Sequence, residues 1–154
     1  MRFSSVLFPE VEDVLDAHSA SLDAHGGLAG VRDGGLLESA VMAPRSGYYD
    51  SLASLAAAFC FGIARNHAFL DGNKRTAVVT AFAFLRVNGV VVTAPQHETH
   101  AIVDGLAAGR VSRDALVEHF TTLMGGDPRP LEDLPPPEPS QVRSLLERRP
   151  DRRG

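Results

Sequence analysis

Apolar residues recur along this chain every three to four positions, in blocks that stop at glycine and proline. Beyond Pro9, the residues Val11, Val14, Leu15, His18 and Leu22 share one side of a helix. Pro9 suits its first turn, where a missing N–H costs nothing. The glycines of "HGGLAG" end it. Asp33 stands at an N-cap position before a second helix, "GGLLESAVMA", which stops near Pro44. After the short connection "RSGYYDS" comes a third helix, with Leu52, Leu55, Ala56, Phe59, Cys60 and Ile63 as its stripe. Its opposite face is also apolar, which marks a buried helix. A polar cluster, "NHAFLDGNKRTA", interrupts the pattern at residues 66–77. "TAVVTAFAFL", Thr76 to Leu85, is again apolar on all sides; frequent Ala and the absence of alternation favour helix over strand, with "NG" at 88–89 as its stop. "VVVT" reads as a short extended piece. Pro95 opens a fifth helix. Ser112 caps a sixth, with Leu116, Val117, Phe120, Leu123 and Met124 on one face.

After Gly126 the pattern lapses. "DPRPLEDLPPPEPS" is proline-rich and reads as an extended linker, "QVRSLLERR" as a short amphipathic helix and "RRPDRRG" as a charged end. The expected organisation is an all-α domain at 1–126, about six helices with two buried central ones, and a tail at 127–154. No internal repeat is visible.

Composition narrows the partners. Net charge is −4 and 44% of the 154 residues are apolar. That is enough for one real core, without a basic face to favour nucleic acid. Cys60 is the single cysteine. It excludes disulfide scaffolds and thiolate clusters and suits a reducing cytoplasm. The N-terminal apolar run is too short for a signal peptide, and the longest uncharged stretch, Ser51 to Ala64, is too short to span a bilayer. The expected location is the cytoplasm, with no membrane partner.

The polar cluster lies on a loop between two buried helices. The second helix begins near Gly72, Asn73, Lys74 and Arg75. Its unpaired N–H groups and dipole favour anions. Gly72 permits close backbone approach, and Lys74 and Arg75 add charge suited to phosphate. Asp71 is a hard oxygen ligand of the kind that holds Mg²⁺ on a nucleotide. His67 titrates near neutrality and can take a proton from a hydroxyl. Phe69, apolar between polar neighbours, is expected to point into the core and pin the loop. Asn73 either donates to a phosphate oxygen or ties the loop to itself. Taken singly, Asp71 and Asn73 are also ordinary caps, Lys74 and Arg75 a solvated turn, and His67 a core histidine. Their concentration between two apolar helices favours a site.

"HAFLDGNKRTA" resembles the signature of the Fic/Doc family, and "GGLAGVRDGGLLESAVMAP" and "FLRVNGV" are similar to the Doc-type branch. Only the tail after Gly126 lies outside the resemblance. Fic enzymes generally transfer AMP from ATP to a protein hydroxyl and have Gly after the motif's Asn and a second Arg three residues after the first. This chain has Lys74 and Val78 at those positions, as Doc-type members do. The resemblance implies the Fic/Doc fold and a toxin of a toxin–antitoxin pair. It further implies a protein kinase using ATP and Mg²⁺ that arrests translation through elongation factor Tu, with an antitoxin as partner. His67 would be the base and Asp71 the Mg²⁺ ligand; Gly72, Asn73, Lys74, Arg75 and Arg65 would hold the nucleotide. AMP transfer and a catalytically silent binding protein on the same fold are the alternatives. Tyr48 and Tyr49 stand where family members have a target-docking flap, and equally suit an aromatic plug over the core. The family's internal inhibitory pattern, Ser or Thr four residues before a Glu, does not occur in this sequence. A separate antitoxin is the implied brake.

Among the other histidines, His97 and His100 at i, i+3 suit exposed helix surface better than zinc. His18 suits a hydrogen-bonded core position, with the rim of the cleft as the alternative. His25 suits a structural turn and Cys60 core filling.

Overall fold

The structure is a computed structural model and describes residues 5–135. The helix expected at "QVRSLLERR" and the charged end, within 141–154, lie outside those residues. Six α-helices run in order: α1 (Val11–His25), α2 (Gly34–Met42), α3 (Leu52–Asn66), α4 (Asn73–Val87), α5 (His97–Ala107) and α6 (Arg113–Leu123). Short 3-10 turns follow α2 at Ala43–Ser46 and α6 at Leu131–Asp133. The expected all-α architecture is what the chain adopts.

The centre is α3 against α4. Leu52, Leu55, Ala56, Phe59, Cys60, Ile63 and Ala64 are buried on α3, and Ala77, Val78, Ala81, Phe84 and Leu85 on α4. Alanines let the two backbones approach, while Phe59 and Phe84 fill the space between them with centroids 5.2 Å apart and rings tilted by 49°. Burial pushes the Cys60 thiol up to about 12, so this sulfur is inert filler. The remaining helices pack around the pair.

Local signals act as expected at Asp33, whose Oδ1 accepts from Leu36 N at 3.0 Å, and at Ser112, whose Oγ accepts from Ala115 N at 3.2 Å. Elsewhere the structure corrects the sequence reading. Pro9 precedes α1 instead of starting it, because Glu10 is the N-cap and forms a reciprocal box with Asp13. Pro95 likewise precedes α5, whose N-cap is Gln96. The buried line of α1 is Val14, Ala17, His18 and Ser21; Leu15 is 36% exposed, since the helix rolls to place His18 inward. "VVVT", expected as an extended piece, lies in no helix and pairs with no strand among the described residues. Asn88 ends α4 and also holds the N-terminal segment, accepting from Leu7 N and donating to Leu7 O, each at 2.9 Å.

The segment after Gly126 differs from the free linker expected there. Carbonyls of Pro128 and Arg129 accept from Ala53 N and Leu52 N at 3.1 and 3.0 Å, and Leu131 N donates to Asp50 O at 2.9 Å. Leu52 and Ala53 are fully buried, so the donors of α3's first turn lack water and need acceptors. Proline-rich backbone offers carbonyls without competing donors. Leu131 anchors the contact at 2% exposure.

Candidate functional site

Between α3 and α4 the chain reverses in six residues, 67–72. His67 ends α3 in the left-handed region at φ 52°, ψ 44°, and Gly72 starts α4 at φ 79°. A non-glycine residue there is uncommon and persists only where its surroundings impose it. Here the restraint comes from residues 30–33. Arg32 Nε donates to His67 O at 2.8 Å, and Ala68 O accepts from Arg32 N and Asp33 N at 2.7 and 3.0 Å. Leu70 N donates to Gly30 O at 3.1 Å, so Val31 and Phe69 form an isolated antiparallel bridge. The His67 side chain is exposed.

The middle of the loop is fixed from below. Phe69 is 1% exposed, as its place in the pattern predicted. Its ring stacks on the His18 imidazole with centroids 3.8 Å apart and planes 7° apart. His18 is 5% exposed, and its Nε2 lies 2.8 Å from Asp71 O. The hydrogen-bonded core reading of His18 holds, and its partner is the backbone of the motif. Asn73 ties the loop to itself. Its Oδ1 accepts from Phe69 N and its Nδ2 donates to Phe69 O, each at 3.0 Å.

Asp71 is exposed, and its oxygens accept backbone N–H groups: Gly72 to Oδ1 at 2.9 Å and Leu28 to Oδ2 at 3.1 Å. The glycine turn after α1 is part of this arrangement. Gly27 sits at φ 124°, where glycine is favoured, and a Cβ there would come within 2.8 Å of Asp71 Oδ2 and push the carboxylate aside. Gly27, Leu28 and Arg32 escaped sequence reading. "HGGLAG" signals a turn, and nothing in one sequence says which distant side chain the turn receives.

The expected cations are distributed unevenly. Lys74 and Arg75 are exposed on the first turn of α4, but Lys74 Nζ lies 3.0 Å from Asp104 Oδ1 on α5. Both partners are more than half exposed, a pair worth about 0–1 kcal/mol and easily exchanged for a phosphate. Arg75 helps to hold the His100 imidazole below its ordinary value, behind the larger effect of burial. Arg65 sets its guanidinium 5.4 Å from the Phe61 ring centre, on the ring that Arg113 also covers at 4.3 Å. Tyr48 is 81% exposed, whereas Tyr49 packs against the core and its hydroxyl accepts from Arg113 at 3.3 Å. The plug reading fits Tyr49 alone.

Chemically, the loop offers an exposed imidazole, an exposed carboxylate that accepts backbone N–H groups on both oxygens, and a helix N-terminus flanked by two cations. Among the described residues no group of three or more His, Cys, Asp and Glu is placed to hold a metal, and the pair His97 and His100 belongs to none. Mg²⁺ carried on a nucleotide needs only one or two carboxylates, because phosphates and water supply the rest. Asp71 meets that requirement. No described helix is long and apolar enough to cross a membrane.

The chain is similar to known proteins. "Toxin Doc" of Mycolicibacterium smegmatis is 49% identical over 88 residues, covering 54% of this chain and 65% of its own. "Protein kinase doc" of Escherichia phage P1 is 34% identical over 118 residues, covering 74% of this chain and 93% of its own. The match thus spans just under two thirds of the first relative and nearly all of the second. The Fic/DOC family pattern itself matches residues 8–85, from the segment before α1 through α4, which includes the whole clamped loop. By that match the chain belongs to the Fic/DOC family.

Proposed function

We propose that this chain is a Doc-type toxin that transfers the γ-phosphate of ATP to a hydroxyl of a protein. The observation that carries the reading is the clamped loop, which presents His67 and Asp71 to solvent at the N-terminus of α4. His67 takes the proton from the incoming hydroxyl. The freed oxygen bonds to the γ-phosphorus as the bond to the bridging oxygen breaks and ADP leaves. The first N–H groups of α4, those of Asn73, Lys74 and Arg75, receive phosphate oxygens beside Gly72, whose own N–H is taken by Asp71 Oδ1; the Asn73 side chain is occupied with Phe69. Lys74 leaves Asp104 to meet a phosphate, Arg75 adds charge, and Arg65 lies at the edge of the nucleotide region. Asp71, with the phosphates, would hold Mg²⁺, which would supply charge neutralisation to the transferring group.

Two observations favour γ- over α-phosphate transfer. Lys74 puts a side chain where a Fic enzyme has glycine. Val78 is 0% exposed inside the α3–α4 core, so the position of a second, phosphate-clamping Arg faces hydrocarbon. The names of the two relatives, a toxin and a protein kinase, support the same reading. Following it, the partners are an antitoxin that covers the loop and a translation factor of the elongation factor Tu class, both in the cytoplasm. AMP transfer keeps one supporting observation, a glycine, Gly72, at φ 79° in the turn that starts α4. Incubation with α- and γ-labelled ATP and the translation factor separates the two. Label from the γ position alone is expected. Label from the α position alone would establish AMP transfer, and no binding of Mg-ATP at all would leave a silent binding protein.

A further inference from the structure

We infer that His18 is a positioning residue for the motif loop, acting from α1 on the Asp71–Gly72 peptide to aim the Asp71 carboxylate. What the carboxylate does rests on the proposed phosphate transfer; that His18 aims it does not.

The position invites an apolar residue. His18 shares a buried line with Val14 and Ala17 and is 5% exposed. An imidazole there needs a hydrogen-bond partner to offset lost hydration. It finds one 53 residues away in sequence, at Asp71 O, 2.8 Å from Nε2. A carbonyl only accepts, so Nε2 carries the proton. The parallel stack on Phe69 fixes the plane of the imidazole and hence the direction of that N–H. Phe69 is itself held at N and O by Asn73 and bridged to Val31.

The consequence follows from peptide planarity. The Asp71 carbonyl and the Gly72 N–H belong to one rigid unit. His18 holds the oxygen end. The N–H end donates to Asp71 Oδ1 at 2.9 Å, while Oδ2 takes Leu28 N at 3.1 Å. Rotation of this peptide would turn the N–H away from the carboxylate and alter the N-cap of α4 in the same movement. Leu70, the preceding residue, is 55% exposed and offers little side-chain anchoring. The His18 bond reaches this peptide's oxygen from outside the loop, beside Leu28 N on the carboxylate and Gly30 O on Leu70 N.

Two substitutions separate the donor from the ring. His18→Phe keeps bulk and stacking and deletes the donor; His18→Gln deletes the ring and keeps a donor of similar reach. The readouts are amide hydrogen exchange at Gly72 and Leu28, compared with Leu55 and Leu85 in the core, and calorimetric binding of ATP with and without Mg²⁺. Loss of one buried hydrogen bond is worth about tenfold. His18→Phe should speed exchange at Gly72 and Leu28 by about that factor, leave Leu55 and Leu85 unchanged, and weaken binding of Mg-ATP more than binding of ATP alone. His18→Gln should recover a large part of both. Ring ¹⁵N shifts of the unaltered protein should show the Nε2–H form and need no variant to fold. The inference is overturned if His18→Phe matches wild type, if His18→Gln is no better than His18→Phe, or if the ring carries its proton on Nδ1. Failure of the wild type to bind Mg-ATP would sink the proposed function instead, with the exchange pattern still deciding the role of His18.

Discussion

The interior between α3 and α4 and the loop that joins them are held by opposite means. In the interior, Phe59, Phe84, Leu55, Ile63 and Leu85 are fully or almost fully buried, and each touches several apolar neighbours. Stability there is shared, non-directional and additive in area. In the loop, single directional bonds fix single groups: Arg32 on His67, His18 on Asp71, Asn73 on Phe69. A residue in the interior is therefore expected to matter for how much protein folds, and a residue in the loop for what the folded protein does.

The comparison breaks most visibly at His67. His67→Ala is expected to slow phosphate transfer by roughly 10²–10⁴-fold, the usual contribution of a general base. The same variant should melt close to or slightly below the wild-type temperature, since alanine keeps a Cβ at the left-handed position and only glycine would relieve its strain. Labelled-ATP assays beside thermal melts check both halves; transfer at near the wild-type rate would remove His67 from the mechanism.

Phe84→Ala tests the other side. It should cost about 3–5 kcal/mol in denaturant unfolding, the range for a buried aromatic, while ATP affinity per folded molecule stays unchanged. A variant of normal stability would mean that the interior repacks freely.

Leu131→Ala asks whether the segment after α6 belongs with the interior. Its burial at 2% predicts a loss of about 2–3 kcal/mol, at the lower end for a core leucine because the site lies at the margin. An unchanged unfolding midpoint would return that segment to linker.

Smaller effects come from titration. Burial holds the His119 imidazole below its ordinary value of 6.5, with Glu98 opposing, and the ring bonds Thr99 Oγ1 at 2.7 Å. The unfolded chain then binds the proton more readily than the folded one. Stability is thus full above that ordinary value and declines as pH falls through it. His100 is shifted in the same direction, chiefly by burial. Replacing His119 by Gln should flatten the acid side of the stability curve, followed by melts at stepped pH.

The smallest expected change is at Asp104. Asp104→Asn frees Lys74 from an exposed pair worth at most about 1 kcal/mol. ATP binding should tighten by less than about fivefold at low salt and converge with wild type at high salt. Weaker binding would show that Asp104 holds Lys74 in its working position.

How much of this was legible in advance depends on distance along the chain. Helix periodicity, the caps at Asp33 and Ser112, the burial of α3 and α4 and the inward turn of Phe69 all come from near neighbours. A period of 3.6 and a capping side chain act within a few residues. The motif also showed itself whole, because its residues are consecutive. What only the tertiary structure decided are the long-range partners. Gly27 lies under the Asp71 carboxylate, His18 meets Asp71 O, and Pro128 and Arg129 return to the donors of α3. Lys74 turns to Asp104 on another helix, and Arg65 to Phe61. A hydrogen bond needs an acceptor at 3 Å in a set direction, and a linear pattern fixes such directions only within one element. The sequence by itself determined the helices and the chemistry on offer at residues 67–75; the packing of α1 and the 30–33 segment against the loop decided how that chemistry is aimed.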